Sequence, residues 1–296
     1  MEIIHLVYFT EVARQESFTK ASEVLYVSQS TISKLIKNLE IELGVALFHR
    51  APKRVILTDA GLLLFDKAKI ILDTLNSINS ELYNLAGTPS GHLKIGISPM
   101  VQTLFPKAIA EFSSFYPQIT IDLVEVGSRK VEQRIHEGTL DVGIVVLPTR
   151  SKVELETVPF LKDPLMLIVD SSHQLATKSI IDISELREES FVLYRDDFAL
   201  HDHILDKCKE LGFTPKVVCE TAQWDFMVDI VASQLAIAFL PQTICAKLNL
   251  KSITCLPLRN EIKPWHLAIA WKRNTYLSYA TRAWLEYTFK MFGIAK

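Results

Sequence analysis

Residues 18–44 read FTKASEVLYVSQSTISKLIKNLEIELG, and the fold of the N-terminal part turns on them. Ser28 is a helix-capping residue type. After it, Ile32, Ile36, Leu39 and Leu43 recur at helical spacing, so they are expected to pack inward. Ser30, Ser33, Lys34 and Lys37 share another face of the same helix, with Gln29 at its N-terminal end. That face is short, polar and basic, and Gly44 ends the helix. Such a face fits a major groove: small serines allow close approach, while Gln and Lys can hydrogen-bond base edges. Upstream, Ala21, Val24 and Leu25 form the apolar side of a short helix capped by Ser17 or Thr19, and the Tyr26–Val27 turn leads out of it. Leu6, Phe9 and Ala13 form the stripe of a first helix. Downstream, Leu47–Thr58 reads as two short strands around Ala51–Pro52–Lys53–Arg54, a basic wing suited to phosphate or minor-groove contact.

Charge supports this reading once it is taken by region. The 296-residue chain carries a net charge of −2, which on its own argues against a nucleic-acid partner. Residues 28–58, however, hold five basic residues against two acidic ones, a local charge of +3. Phosphate affinity comes from counterions released where Lys and Arg meet the backbone, so the local figure is the relevant one. Spacing alone fits either a groove-reading helix or a solvated face beside a charged hairpin. The residue identities go further.

The runs Phe18–Leu25 and Val27–Lys34, with Leu39–Glu40, Leu43–Gly44, Leu47–Phe48 and Leu57–Gly61, resemble the N-terminal head of LysR-type transcriptional regulators. The likeness covers nearly all of residues 1–62. It departs from the usual pattern at Ser30, where Pro is common, and at Lys34, where Arg is common. The resemblance implies base contacts from Gln29, Ser30, Ser33 and Lys34, phosphate contacts from Thr31 and Lys37, and Arg50, Lys53 and Arg54 in or near the wing.

Beyond Thr58, a candidate cap, no Pro occurs until Pro89. Positions 64, 68, 71, 75, 78, 82 and 85 are all apolar in a 4-3 spacing, which fits a helix of about 42 Å at ~1.5 Å per residue. A helix of this kind either pairs two heads or packs on its own domain. Pairing lets two recognition helices read a palindrome. The resemblance agrees, since this segment is the family's linker helix, and it implies homodimers assembled into homotetramers.

From His92 onward strands and helices alternate. Strands are expected at His92–Ser98, Thr120–Val126, Val142–Leu147, Leu165–Asp170, Phe191–Tyr194, Val217–Cys219 and Ile237–Leu240, and helices at Phe105–Phe115, Lys130–Glu137, Asp202–Leu211 and Asp225–Ser233. The pattern indicates an α/β fold with mainly parallel sheets. The resemblance to the family's effector domain covers 91–296 and implies two subdomains joined by two crossovers, as in periplasmic binding proteins. The expected organisation is an all-α winged helix-turn-helix over 1–58, a linker helix and hinge over 59–90, and an effector domain over 91–296. Within the last, 91–163 with 268–296 make one subdomain and 164–267 the other.

Small ligands of such sheets bind where strand C-termini and helix N-termini converge. Ser98, Met100 and Val101 lie in the first such loop and Ser128 in the second. Tyr194, Phe198, Gln223 and Trp224 hold the corresponding places in the second half. Ser98 and Ser128 are expected to face Gln223 and Trp224 across a cleft suited to a small carboxylate. The stretches Gln223–Phe226 and Asp196–Phe198 also loosely resemble the family subgroup governing Cid-type operons, which points to a short acid such as acetate or pyruvate.

Other chemistries find little support. No Gly-x-Gly-x-x-Gly can be assembled from the 10 glycines, and Gly91/Gly96 and Gly138/Gly143 are followed by Ile97 and Ile144 rather than Lys, so no nucleotide cofactor is expected. Gly96–Ile97–Ser98–Pro99–Met100 lacks the second Gly of a nucleophile elbow. Asp196, Asp197, His201, Asp202 and His203 read as solvated charge rather than metal ligands. The four cysteines read as buried thiols of a cytoplasmic protein, with nothing to lower a pKa. The N-terminus lacks the basic start of a secretory signal, and no apolar run approaches the ~18 residues of a membrane span. The expected function is DNA binding at a promoter inverted repeat, switched by a small effector, with RNA polymerase as a further partner and no catalysis. A cytoplasmic solute-binding protein with an accessory head, or a Ser98-dependent hydrolase, is the alternative.

Overall fold

The structure is a computed structural model that describes every residue except 52–53, 86–89, 151–154, 249–251 and 295–296. The chain separates into two units, Met1–Gly91 and His92–Lys296.

The first unit contains α1 (Ile3–Gln15), α2 (Phe18–Val24), α3 (Gln29–Leu43), a hairpin of β1 (Phe48–Ala51) and β2 (Arg54–Leu57), and α4 (Asp59–Leu85). Leu6, Phe9, Val12, Ala21, Ile32, Ile36, Leu39 and Leu47 build one buried cluster, so the inward stripe of α3 meets the stripe of α1 as its spacing requires. Ser17, rather than Thr19, caps α2 by accepting the Lys20 N–H. Two apolar positions depart from expectation. Leu43 is 39% exposed and Val24 52%, because each is the last residue of its helix, and the end of α3 projects with Ile41 and Val45 also exposed.

Entry into α4 is tight. The Thr58 hydroxyl accepts the Gly61 N–H at 3.0 Å, and a Cβ on Gly61 would stand 2.1 Å from the Leu47 carbonyl oxygen, so only glycine fits against the start of β1. The 4-3 stripe of α4 is then divided. Leu64, Ala68, Phe65 and Leu72 pack on the head's own core, whereas Ile71 and Ile78 are 39% and 47% exposed.

The second unit contains β3 (Gly91–Ile97), α5 (Pro106–Phe115), β4 (Ile119–Glu125), α6 (Ser128–His136), β5 (Val142–Val146), β6 (Leu155–Asp163), β7 (Leu165–Asp170), β8 (Ser190–Tyr194), α7 (Ala199–Glu210), β9 (Lys216–Thr221), α8 (Trp224–Ala232), β10 (Ala238–Pro241), α9 (Gln242–Cys245), β11 (Ile253–Leu256), β12 (Trp265–Lys272) and α10 (Tyr279–Met291). A five-stranded sheet has the order β4-β3-β5-β12-β6, a three-stranded sheet the order β10-β7-β11, and β8 pairs with β9. The fully buried run of β5 is the central strand, covered by Val131 and Ile135 of α6. The fold is thus a helix-turn-helix head followed by an α/β domain of two subdomains.

The expectation of mainly parallel sheets is corrected. β3 is parallel to β5 and β8 to β9, but β12 runs antiparallel to both β5 and β6, and β7 is antiparallel to β10 and β11. The cause is the return crossing: a strand re-entering the large sheet from the second subdomain runs against the strands that left it. Trp265 already pairs with Asp163, so this return begins ahead of position 268. β6 escaped the sequence reading because Pro159 and scattered charges break its pattern, which an edge strand tolerates. No described helix is long and apolar enough to cross a membrane.

Candidate functional site

In the first unit the candidate surface is α3. The Ser28 hydroxyl accepts the Thr31 N–H at 3.2 Å and bonds the Ser30 and Thr31 hydroxyls at 2.8 Å each, which fixes the start of the helix. Gln29, Ser30, Thr31, Lys34 and Lys37 are exposed and Ser33 is half-buried. The first turn of α3 carries no acidic residue, so its free N–H groups and dipole stay available to an anion. Among the described residues neither Lys34 nor Lys37 has an ion-pair partner. Glu40, on the inner side, is spent on structure: its carboxylate accepts the Leu47 N–H at 2.7 Å and the Phe48 N–H at 3.3 Å, tying the hairpin to α3.

The hairpin forms as expected, with Ala51 opposite Arg54. Lys53 lies outside the described residues, and Arg50 and Arg54 are located by their backbone in β1 and β2. The sequence reading passed over Tyr26 as a group in its own right. It sits in the turn before α3 at φ 53° and is 95% exposed. An aromatic at a left-handed turn position is uncommon, and that could have flagged it.

In the second unit the eight expected effector residues divide. Ser98 is buried, and its hydroxyl accepts the Met100 N–H at 3.2 Å. Met100 and Val101 are core residues. Tyr194 is fully buried and donates its hydroxyl to the Phe239 carbonyl at 2.8 Å, with Phe198 stacked on it at 5.9 Å. Burial holds the Tyr194 phenol well above its ordinary pKa. Ser128 is buried and accepts the Ala199 N–H at 3.2 Å, at the start of α7. Gln223 is exposed and Trp224 half-buried at the start of α8.

Ser128 belongs to a locked contact between α6 and the Asp197–α7 segment. The Gly127 N–H donates to the Asp197 carboxylate at 2.9 Å, and a Cβ on Gly127 would lie 2.2 Å from the Asp197 carbonyl oxygen. Burial works against the Asp197 charge, but hydrogen bonds from Arg195, at 2.8 Å each, and from Gly127 outweigh it and keep the pKa low. Asp202 bridges two guanidinium groups, Arg129 at 3.3 Å and Arg150 at 3.0 Å, while Glu132 holds Arg129 and the Arg150 N–H. His203 is buried, and burial together with the charges of Lys263 and Arg129 depresses its pKa. The expectation of solvated charge holds for the exposed Asp196 and is corrected for the others: Asp197 and Asp202 are half-buried and His203 is buried, in a contact that sequence spacing does not reveal.

The cysteines need a similar correction. Cys208 and Cys245 are buried, but Cys219 and Cys255 are half-buried. Burial pushes the Cys208 thiol up to about 11. The neighbouring Cys255 thiol, together with burial, raises the Cys245 thiol, whose Sγ lies 3.9 Å from the Leu240 carbonyl, and Cys245 in turn lowers Cys255.

Comparison with known proteins bears on both units. Residues 3–62 match the model for bacterial regulatory helix-turn-helix proteins of the lysR family, and residues 86–292 the model for the LysR substrate binding domain. The chain is 45% identical over 289 residues to the uncharacterized HTH-type transcriptional regulator YwbI of Bacillus subtilis, covering 97% of this chain and 96% of that one. Its fold matches full-length CbnR complexed with its target DNA at a TM-score of 0.71 and 21% identity, over 98% and 99% of the two chains. The regulatory domain of Synechocystis CcmR, in complex with 2-PG, matches at 0.63 and 22% identity, over 69% of this chain and 98% of that one.

Proposed function

The chain belongs to the LysR family of DNA-binding transcriptional regulators with an effector-binding domain, and from that premise we propose how its own residues divide the work. The observation that carries the reading is the exposed row Gln29, Ser30, Thr31, Lys34 and Lys37 on a helix whose first turn is free of acid. Gln29, Ser30, Ser33 and Lys34 read base edges in the major groove, Thr31 and Lys37 hold phosphates, and Arg50, Lys53 and Arg54 meet the backbone beside them. Ile71 and Ile78, left open on α4, support pairing of two chains, and a dimer or tetramer then reads an inverted repeat at a promoter.

The effector is a short organic acid taken up by residues 92–296. That a regulatory domain of this fold takes a small molecule, 2-PG in CcmR, supports a small effector here. Such an acid competes for Ser98, Ser128 and the nearby helix N-termini with the hydrogen bonds they now make. Gln223 and Trp224 meet it from the facing side, and Met100, Val101, Tyr194 and Phe198 form an apolar backing. Release of Ser128 from Ala199 shifts the population between closed and open subdomains, and the heads and RNA polymerase respond to that shift.

Footprinting on the DNA upstream of the protein's own coding region, repeated with a panel of short organic acids, tests this. A protected inverted repeat whose extent changes with one acid is expected. Gln29→Ala should weaken specific binding by about 1–3 kcal/mol while sparing scrambled duplex, whereas Lys37→Ala should weaken both. No protected repeat under any condition overturns the reading.

A further inference from the structure

On the β6 flank of the large sheet, an open cavity of about 560 Å³ is lined by Leu147, Pro148, Thr149, Lys162, Lys263, Pro264 and His266; Ser98 and Ser128 are not in its lining, although the Arg129 side chain beside Ser128 donates to the Pro148 carbonyl at 3.5 Å. Its frame is set by pairing. The Leu147 N–H donates to the His266 carbonyl at 2.8 Å, joining the exit of β5 to the entry of β12, and Trp265 lies opposite Asp163 at the end of β6. The end of β6 with Lys162, the run into β12 with Lys263, Pro264 and His266, and the exit of β5 with Leu147 and Pro148 thus meet around one cavity.

Among the described residues the side chains of Lys162, Lys263 and His266 have no carboxylate partner, although the surroundings are rich in acids that do pair. Asp163 accepts both the N–H and the hydroxyl of Thr243, at 3.0 and 2.6 Å. Asp202 is shared by Arg129 and Arg150, and Asp197 is held by Arg195. The guanidinium groups of Arg129 and Arg150 are therefore matched, whereas Lys162 and Lys263 at this cavity have no ion-pair partner among the described residues. Two ammonium groups without a carboxylate partner leave a favourable place for negative charge, and the His266 ring adds a hydrogen-bonding group beside them.

We propose that this cavity is an anion site, separate from the Ser98–Ser128 cleft, that takes a small dianion bearing a phosphate ester or two carboxylates. Lys162 lies at the end of β6 and Lys263 just ahead of the adjoining start of β12, so two anionic groups, or the several oxygens of one phosphate, engage both at once. A monoanion neutralises only one of the two ammonium charges. Thr149 with Leu147, Pro148 and Pro264 suits a short carbon backbone. The site also has a route to the interior, because the Lys263 backbone lies against the buried His203 of α7, the helix that carries Asp202. The binding claim stands apart from the proposed function; only its use as a second regulatory input rests on that reading.

Calorimetric titration of the full chain at constant ionic strength tests it, with inorganic phosphate, glycerol 3-phosphate, malonate and, as monoanion control, acetate. Saturable binding of at least one dianion is expected, at least tenfold tighter than acetate. Phosphate-ester and dicarboxylate arms tell the two sources apart. The double variant Lys162→Gln/Lys263→Gln should weaken the dianion tenfold or more, Gln223→Ala should leave it within twofold, and the His266 ring signals should shift during titration of the wild type. Saturable binding that survives the double variant but is lost in Gln223→Ala overturns this site and leaves the cleft reading standing. No saturable binding of any dianion overturns it outright, and the footprint described above then judges the regulator reading by itself.

Discussion

In the head, the polar groups of interest stand in solvent on one helix. In the larger unit, groups of the same kind are turned inward and paired. Gln29, Ser30 and Lys34 are exposed, whereas Ser98, Ser128 and Tyr194 are buried and already hydrogen-bonded. The difference reflects what each surface has to meet. A duplex arrives as a rigid, highly charged rod, so a preformed and unpaired face suits it. A small molecule entering the larger unit has to displace contacts already made, and under the proposed function the hydrogen bond between Ser128 and Ala199 is one of them.

The contrast is most sharply tested by breaking one unit at a time. Leu39 is fully buried in the head core, so Leu39→Ala should cost about 2–5 kcal/mol there. Scanning calorimetry should show the head transition falling while that of residues 92–296 stays in place. Equal movement of both transitions would break the division.

Asp202→Asn comes next, leaving Arg129 and Arg150 without their shared charge. Arg150 is open to water and limits the loss, so about 1–3 kcal/mol is expected. Urea unfolding should show this only in the larger unit, and an unchanged midpoint would mean that the α6–α7 contact does not hold it.

The pH response should separate the units more finely. The pKa of His203 is depressed in the fold, so the unfolded chain binds the proton more readily. Its contribution to stability is complete above the ordinary value of 6.5 and declines as pH falls from there toward the folded value. The larger unit should lose stability over that range, and His203→Gln should flatten the slope. Asp197, also lowered, adds a second loss only below its ordinary value of 3.8.

The smallest effect concerns the thiols. Cys255, half-buried and lowered by Cys245, should react with iodoacetamide several-fold faster than Cys208, which is buried and raised. Mass spectrometry after timed quenching reads this, and faster labelling of Cys208 would reverse the assignment.

What was legible in advance follows the range of the forces involved. The head could be read from its residues because helix capping and a 3.6-residue stripe are local: Ser28 begins α3, Ile32, Ile36 and Leu39 turn inward, and the basic row is left outside. Misjudgements there fell at helix ends such as Val24 and Leu43, where periodicity continues but the neighbouring elements do not. In the larger unit local pattern still located most strands, but it missed β6, β11 and β12 and left their antiparallel direction unread.

The amino-acid sequence by itself determined the recognition helix, the wing, the long α4 and the alternation of the α/β part. Only tertiary structure decided that Ser128 would cap a helix about seventy residues away, that Asp202 would bridge Arg129 and Arg150, and that Lys162, Lys263 and His266 would line one cavity. Such contacts depend on where the chain crosses between sheets and returns, and no spacing within one element records that crossing.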